Sequence, residues 1–382
     1  MTKRSKKNIL LVANWKSDVG FAWWLMENFW VQISLLADSS CKRAYLIYPE
    51  LLNLPDSISS SSIVCEEIDY NDSSLLGNLR ILAFIKRNNI DCIYLTDKPY
   101  LSFRYVLFRL FGVRKIIIHD HTPGNRDVPR YIKRIVKKML NSLPAITADA
   151  VVAVTNFVRD RHLYSSCIPA SKICVAQNGI VPISRSPKLI NYAHAEFNIE
   201  ADAKIVFTSG RASTYKGIDF IIECANFLIN KRRLNKIYFL YCGDGPDIDY
   251  FKSLSAGYGL GERFVFAGVR NDVRELAQSC HIGIQASVGE VGYSLSILEY
   301  MSAGLATVVP DNPSVCSAIT DGVDGLVFKE MNVISACEAI EKVIYDDELR
   351  KKLSLNAQSI IETEYNLKNT NRDFFTILKK HI

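Results

Sequence analysis

The residues best able to do chemistry lie in two loops of the second half of the chain. Ser209-Gly210-Arg211-Ala212-Ser213-Thr214-Tyr215-Lys216-Gly217 follows the apolar run Ile205–Thr208, and a helical pattern begins at Ile218. Two cations on one loop, beside the unpaired N–H groups of a helix start, suit a diphosphate. The same loop also reads as a solvated turn with two ordinary charges. Gly243-Asp244-Gly245-Pro246 is a tight turn before a helix. The stretch Gly289–Gly304 turns into a helix near Ser294, with Leu295, Leu298 and Met301 along one side and Gly304 at its end. Glu299 falls within that helix between apolar neighbours, where a carboxylate costs free energy unless hydrogen-bonded; a ribose diol offers two donors. Glu290 and Glu299 also suggest the carboxylate pair of glycoside hydrolysis, but nearness along one loop does not set them across a sugar ring. His119-Asp120-His121 suggests a metal, yet on a continuing strand Asp120 points away from both histidines. Asp247-Ile248-Asp249 lies in a helical pattern rather than a metal-binding loop, so two cations stand where a metal would otherwise be needed.

Loops like these must be held by strands that end side by side. Short apolar runs at Ile9–Ala13, Ala44–Tyr48, Cys92–Leu95, Lys115–Ile118 and Ala150–Val154 alternate with helical patterns. The alternation resumes at Ile205–Thr208, Ile237–Tyr241, Phe264–Ala267, Ile282–Gln285 and Ala306–Val309. This is the pattern of α/β folds with parallel sheets covered by helices. The break at Asn178-Gly179 through Pro187 divides it into two doubly wound domains, expected at 1–182 (with a returning helix at about 368–382) and 190–367. In such folds ligands bind at the C-terminal ends of strands, and the largest cleft is expected between the domains.

Composition narrows the possibilities. At 382 residues with 48% hydrophobic and 23% charged side chains, the chain is neither disordered nor fibrous. Ten cysteines without a C-x-x-C pair fit neither a zinc ribbon nor a disulfide scaffold. No apolar run approaches a membrane span, and Ile9–Ala13 is too short for a signal peptide, so a cytoplasmic protein is expected. Residues 1–190 carry 26 Lys and Arg against 15 Asp and Glu, and residues 191–382 carry 20 against 25. The basic excess of the first half draws phosphates. A nucleic-acid partner would explain that patch but nothing in the second half, and none is expected.

In order and spacing, Gly210-Arg211 with Lys216-Gly217, Gly243-Asp244-Gly245-Pro246, Phe266-Ala267-Gly268, the Gly292–Glu299 helix start and Asp321-Gly322-Val323-Asp324-Gly325 resemble the C-terminal half of a GT-B glycosyltransferase of family 4. That is the retaining, nucleotide-sugar-dependent group. Ile116–Asp120, Ala148–Thr155 and Asn178-Gly179-Ile180 are similar to its N-terminal half. The resemblance implies two Rossmann-like domains facing each other across a cleft, no cofactor or metal, and a UDP- or GDP-sugar donor. It places Arg211 and Lys216 on the donor diphosphate and Glu299 on the ribose. Gly292, Tyr293, Ser294 and Leu295 would lie against sugar and phosphates, and Gly268 and Val269 near the base. Gly20 would admit the phosphates, and His119 would stand beside the reacting sugar. The implied activity is sugar transfer to a lipid-linked or surface-glycan acceptor, as in lipopolysaccharide, capsule or exopolysaccharide synthesis. A nucleotide-sugar epimerase and a degenerate partner of an active transferase are the alternatives. Two positions depart from the family pattern. Val291 stands eight before Glu299 where the family has Glu, with Glu290 one residue early, and Val19 stands where a Gly is common. Either the loop is remodelled so that Glu290 reaches the reacting sugar or that contact is absent; Gly289 and Gly292 flank it and give the backbone latitude, so the remodelled loop, with Glu290 as a catalytic residue, is expected.

Two further features point to a membrane. In Pro129–Leu143, Ile132, Ile135, Val136, Met139, Leu140 and Leu143 form a helical stripe, with Arg130, Lys133, Arg134, Lys137 and Lys138 on the remaining surface. This reads either as a core-packed helix with a solvated basic face or as a helix whose basic face rests on anionic lipid. Trp23 and Trp30, seven apart beside the stripe of the first helix, suit a membrane interface or packing under another helix. Together they suggest a peripheral enzyme on the inner face of the cell membrane.

Overall fold

The computed structural model describes residues 7–19 and 23–382. Two units share the chain. The first comprises residues up to Thr122, Arg126–Gln177 and Thr370–Ile382; the second comprises Pro123–Asn125 and Asn178–Asn369.

The first unit is built on β1 (Asn8–Val12), β2 (Ala44–Tyr48), β3 (Val64–Glu67), β4 (Ile90–Thr96), β5 (Lys115–Asp120), β6 (Ala150–Ala153) and β7 (Ile173–Val175). All pair in parallel, in the order β3-β2-β1-β4-β5-β6-β7. β1, β2 and β4 are buried from end to end, which is why they read as unbroken apolar runs rather than alternating ones. The order reverses between β1 and β4, and such a switch point opens a crevice at the strand C-termini.

Two expectations need correction here. The helix Trp24–Ser39 buries eight of its sixteen residues, Trp30 among them. Trp30 is 2% exposed and stands edge-on to Tyr48, ring centroids 6.2 Å apart, so it cannot sit at a lipid surface. The buried face is simply wide enough to take in a residue beside the expected stripe. The helix Tyr131–Asn141 errs the other way: only Asn141 is buried, while Ile132 is 76% and Met139 66% exposed. Ile135, Val136, Leu140 and Leu143 are exposed as well. The core-packed reading is therefore wrong, and both faces of this helix lie open.

The last helix, Leu367–His381, completes the first unit. Phe374 is fully buried, 4.6 Å from the Phe29 ring and stacked on His119 at 5.6 Å.

The second unit carries β8 (Lys204–Ser209), β9 (Ile237–Cys242), β10 (Phe264–Gly268), β11 (Ile282–Ile284), β12 (Ala306–Pro310) and β13 (Leu326–Phe328) in the order β10-β9-β8-β11-β12-β13, again all parallel. Alternate residues of β8 feed two cores. Val206 packs with Phe239, Ile282 and Val308 on one face, and Ile205 and Phe207 pack with Leu240, Tyr300 and Leu305 on the other.

Candidate active site

Loops at the C-terminal ends of β8, β9, β10 and β11 meet in the second unit. Gly210 N–H donates to Cys242 O, and Gly243 N–H to Gly268 O, at 3.0 and 2.8 Å. A Cβ at Gly243 would lie 1.9 Å from Gly210 O, so only glycine lets these strand ends approach. The chain then turns at Gly217, whose φ of 70° is left-handed and whose added Cβ would lie 2.1 Å from Ala286 O. Val288 N–H reaches Tyr215 O at 3.1 Å. The loop after β8 is thereby fastened to the loop after β11.

That contact brings Lys216 to Glu290, Nζ to Oε1 at 2.6 Å. Glu290 is buried, and Gln285 Nε2 lies 3.4 Å from the same oxygen. Arg211 is exposed and makes no ion pair with a described residue. The Leu295–Ala303 helix starts at Ser294, whose hydroxyl accepts from Ile297 N–H, and ends at Gly304 with φ 81°. Its buried side is Ile297, Leu298, Tyr300 and Met301 rather than one that includes Leu295. Gly292 is buried, with its N–H on Ser314 O at 2.7 Å, and the buried Tyr293 hydroxyl donates to Asn178 O at 2.8 Å. Gly268 ends β10, and Val269 beside it is exposed. Asp247 accepts from Thr214 N–H at 2.7 Å.

Glu299 sits one turn into its helix, largely buried, with Arg274 Nη2 3.3 Å from Oε1. Burial pushes its carboxyl above the usual range, and Arg274 opposes that rise. Arg274 carries no signal in the sequence: it is one charge on the short helix Val273–Gln278, and only the fold reveals that it faces Glu299.

In the first unit the site residues are placed less openly. His119 has no exposed surface; its Nδ1 bonds the Tyr94 hydroxyl, and its ring packs on Phe29, Phe374 and His121. His121 is half-buried, 4.3 Å from the His119 ring. Asp120 points elsewhere, as strand alternation requires. Its Oδ2 lies 2.9 Å from Arg161 Nη2 and 2.7 Å from His162 Nε2, while Oδ1 accepts from Thr122 N–H at 2.8 Å. Burial alone would raise the Asp120 carboxyl; His162, Arg161 and Thr122 together hold it well below the carboxylate range. Gly20 lies outside the described residues. Arg130, Lys133, Arg134 and Lys138 are exposed, and Lys137 donates to Ser165 O at 2.9 Å. Trp23 is half-buried against Trp15, ring centroids 6.2 Å apart.

Asp97 has the opposite electrostatics. Burial, then the Asp120 charge, pushes it up to about 7. An unfolded Asp titrates near ~3.9, so between about 4 and about 7 the folded chain holds a proton that the unfolded chain has lost. Its contribution to stability is fully present below that window and is lost as pH rises through about 7. Asp97→Asn removes the buried charge. The variant is expected to melt several degrees above the parent at pH 8 and within about a degree or two of it at pH 5. Melts at the two pH values check this; an equal shift at both would refute it.

Two family models match in series: "Glycosyltransferase Family 4" over residues 68–182 and "Glycosyl transferases group 1" over residues 191–360. The chain belongs to glycosyltransferase family 4. It is 31% identical over 172 residues to the N,N'-diacetylbacillosaminyl-diphospho-undecaprenol alpha-1,3-N-acetylgalactosaminyltransferase of Campylobacter jejuni, a match spanning 44% of each protein. A glycosyltransferase from Rickettsia africae superposes with a TM-score of 0.79 at 19% identity over 98% of both chains. Anabaena HepE in complex with UDP-glucose superposes with a TM-score of 0.73 at 18% identity, over 98% of this chain and 99% of that one. The fold is GT-B.

Proposed function

We propose that this family 4 chain transfers a sugar, with retention of anomeric configuration, from a UDP- or GDP-sugar to a lipid-linked saccharide in surface-glycan synthesis, working peripherally on the inner face of the membrane. The observation that carries the reading is the Lys216 ammonium on Glu290, on the loop that also bears Arg211 and leads into a helix. Breaking the glycosidic bond of a nucleotide sugar leaves a nucleoside diphosphate while the sugar becomes oxocarbenium-like. Preorganised positive charge on the departing phosphates is commonly the largest catalytic contribution. Arg211, Lys216 and the N–H groups at Ser294 supply that charge in this reading. Glu290 holds Lys216 in place, and Glu299, largely buried beside Arg274, takes the ribose hydroxyls. The reading gains support from the UDP-glucose complex of HepE and from the lipid-diphosphate substrate in the Campylobacter relative's name.

Among the described residues no helix is long and apolar enough to cross a membrane. The open apolar stripe and basic flanks of Tyr131–Asn141 fit a helix lying in the lipid interface.

The test is thermal melting with UDP, GDP, ADP and CMP in parallel. At 100 times its Kd a nucleotide stabilises by about 2.7 kcal/mol, so UDP or GDP should raise Tm by several degrees. No shift with any of the four would remove the donor site.

A further inference from the structure

The donor reading leaves unexplained the arginine that meets its ribose-binding carboxylate. The helix Val273–Gln278 is held at its start by a polar bracket. Asp272 accepts from Arg270 Nε at 2.8 Å and from the Tyr192 hydroxyl at 2.7 Å, and Arg270 Nη2 also lies 2.9 Å from Glu196. Arg270 is thereby engaged with carboxylates of its own. Arg274, one turn further along, is committed elsewhere: among the described residues Glu299 is the carboxylate it pairs with, Nη2 to Oε1 at 3.3 Å. Glu299 in turn rides on a fastened helix, because the hydroxyl of the next residue, Tyr300, accepts from Ser209 N–H at 2.7 Å. Ser209 ends β8, and Arg211 follows two residues later. Both members of the pair therefore stand on fixed supports, and the support of Glu299 is tied to the strand that leads into the cationic loop.

We propose that Arg274 is a positioning residue that acts through Glu299 to let the site tell a ribonucleotide from a deoxyribonucleotide. The inference rests on the reading that puts Glu299 on the ribose. An ionised carboxylate presents two acceptor oxygens. Arg274 approaches Oε1 through one nitrogen, and Oε2 takes no hydrogen bond from a described residue, so that oxygen stays available to a ligand hydroxyl. The Glu299 side chain keeps 24% of its surface exposed and Arg274 39%, so the pair can be reached. Two tasks fall to the guanidinium. It opposes the burial that favours the neutral carboxyl, a form that would turn one acceptor oxygen into a donor. It also pins the side chain, so that the free oxygen is aimed before the ligand arrives. Hydrogen bonds to an ionised acceptor are the strong class. A 2′-deoxyribose lacks the hydroxyl that would make one, and a site built to bond that hydroxyl rejects the ligand without it.

The experiment is calorimetric titration of the full chain with UDP and 2′-deoxy-UDP, and with GDP and 2′-deoxy-GDP. In one of the two pairs the parent should hold the ribonucleotide at least about 10-fold more tightly than its deoxy form. Glu299→Gln should shrink that ratio to about 3-fold or less. Arg274→Ala should shrink it as far, by weakening the ribonucleotide while the deoxy form stays within a factor of about 3. Adding Arg274→Ala to Glu299→Gln should then change neither affinity further, because the two side chains act as one unit. Arg274 is partly exposed, so the Tm of Arg274→Ala should stay within about a degree or two of the parent. The inference falls if Arg274→Ala keeps the parent ratio, or if it weakens both forms equally, as a direct phosphate contact or a loosened fold would. A ratio lost in Glu299→Gln but kept in Arg274→Ala sinks the role of Arg274 and leaves the ribose reading standing. A ratio that survives both substitutions, or a parent that binds none of these nucleotides, sinks that reading and this inference together.

Discussion

Lys216→Ala lowers sugar transfer by at least about 100-fold, the scale seen when one preorganised charge-stabilising donor is removed from a transition state. Lys216 is bonded at 2.6 Å to Glu290, and its side chain keeps 27% of its surface exposed, so it has a fixed position and open access to a ligand. Removing it also leaves the buried Glu290 without its counter-ion. A charged group stranded in this way costs roughly 1–3 kcal/mol, so Tm falls as well as turnover. Lys216→Ala combined with Glu290→Gln removes both charges, restores Tm close to the parent value and remains inactive. Glu290→Gln alone keeps the ammonium but loosens it, and costs about 10-fold, in line with a positioning role. The measurement is initial rate with the nucleotide sugar that the melts identify, alongside Tm for each variant. If the double variant recovers activity together with stability, Lys216 is structural and the donor site must be redrawn.

Ile132→Glu with Met139→Glu abolishes sedimentation with phosphatidylserine vesicles at low salt. Burying one such side chain in an apolar phase is worth about 1.5–3 kcal/mol, and each basic residue near an anionic surface adds about 1 kcal/mol. Two glutamates on the open stripe remove the apolar part and add repulsion, so binding falls by well over 100-fold. Lys133→Gln with Lys138→Gln leaves the stripe intact; it weakens binding more moderately and flattens its salt dependence. Because both apolar residues are mostly exposed, Tm stays within about a degree or two. Vesicle binding that survives the glutamate pair would show that this helix faces water.

The sheet cores were largely readable from sequence because parallel strands buried on both faces appear as apolar runs. β3 was not, since Val64-Cys65-Glu66-Glu67 is a half-polar strand on the sheet edge, and β13 has only three residues. At the site, the loop cations and the helix start at Ser294 could be read locally. Their partners could not. Lys216 meets Glu290 only because β11 lies beside β8, a non-sequential pairing, and Arg274 meets Glu299 by the packing of two helices. Trp30 was misjudged because seven-residue spacing fixes which face a residue shares but not how much of the helix is covered. The exposed stripe of Tyr131–Asn141 has the same periodicity as a packed one, and only burial tells them apart.

The first unit closes on Phe374, a residue near the far end of the chain that fills the space between Phe29 and His119. Domains generally fold in the order in which the ribosome releases them, but here the unit begun first is finished last. Its sheet must wait, with a gap in its core, while nearly two hundred residues of the other unit are translated. A nascent chain stalled before Phe374 emerges should therefore bind nucleotide through its finished half while its earlier half still invites chaperones and proteases.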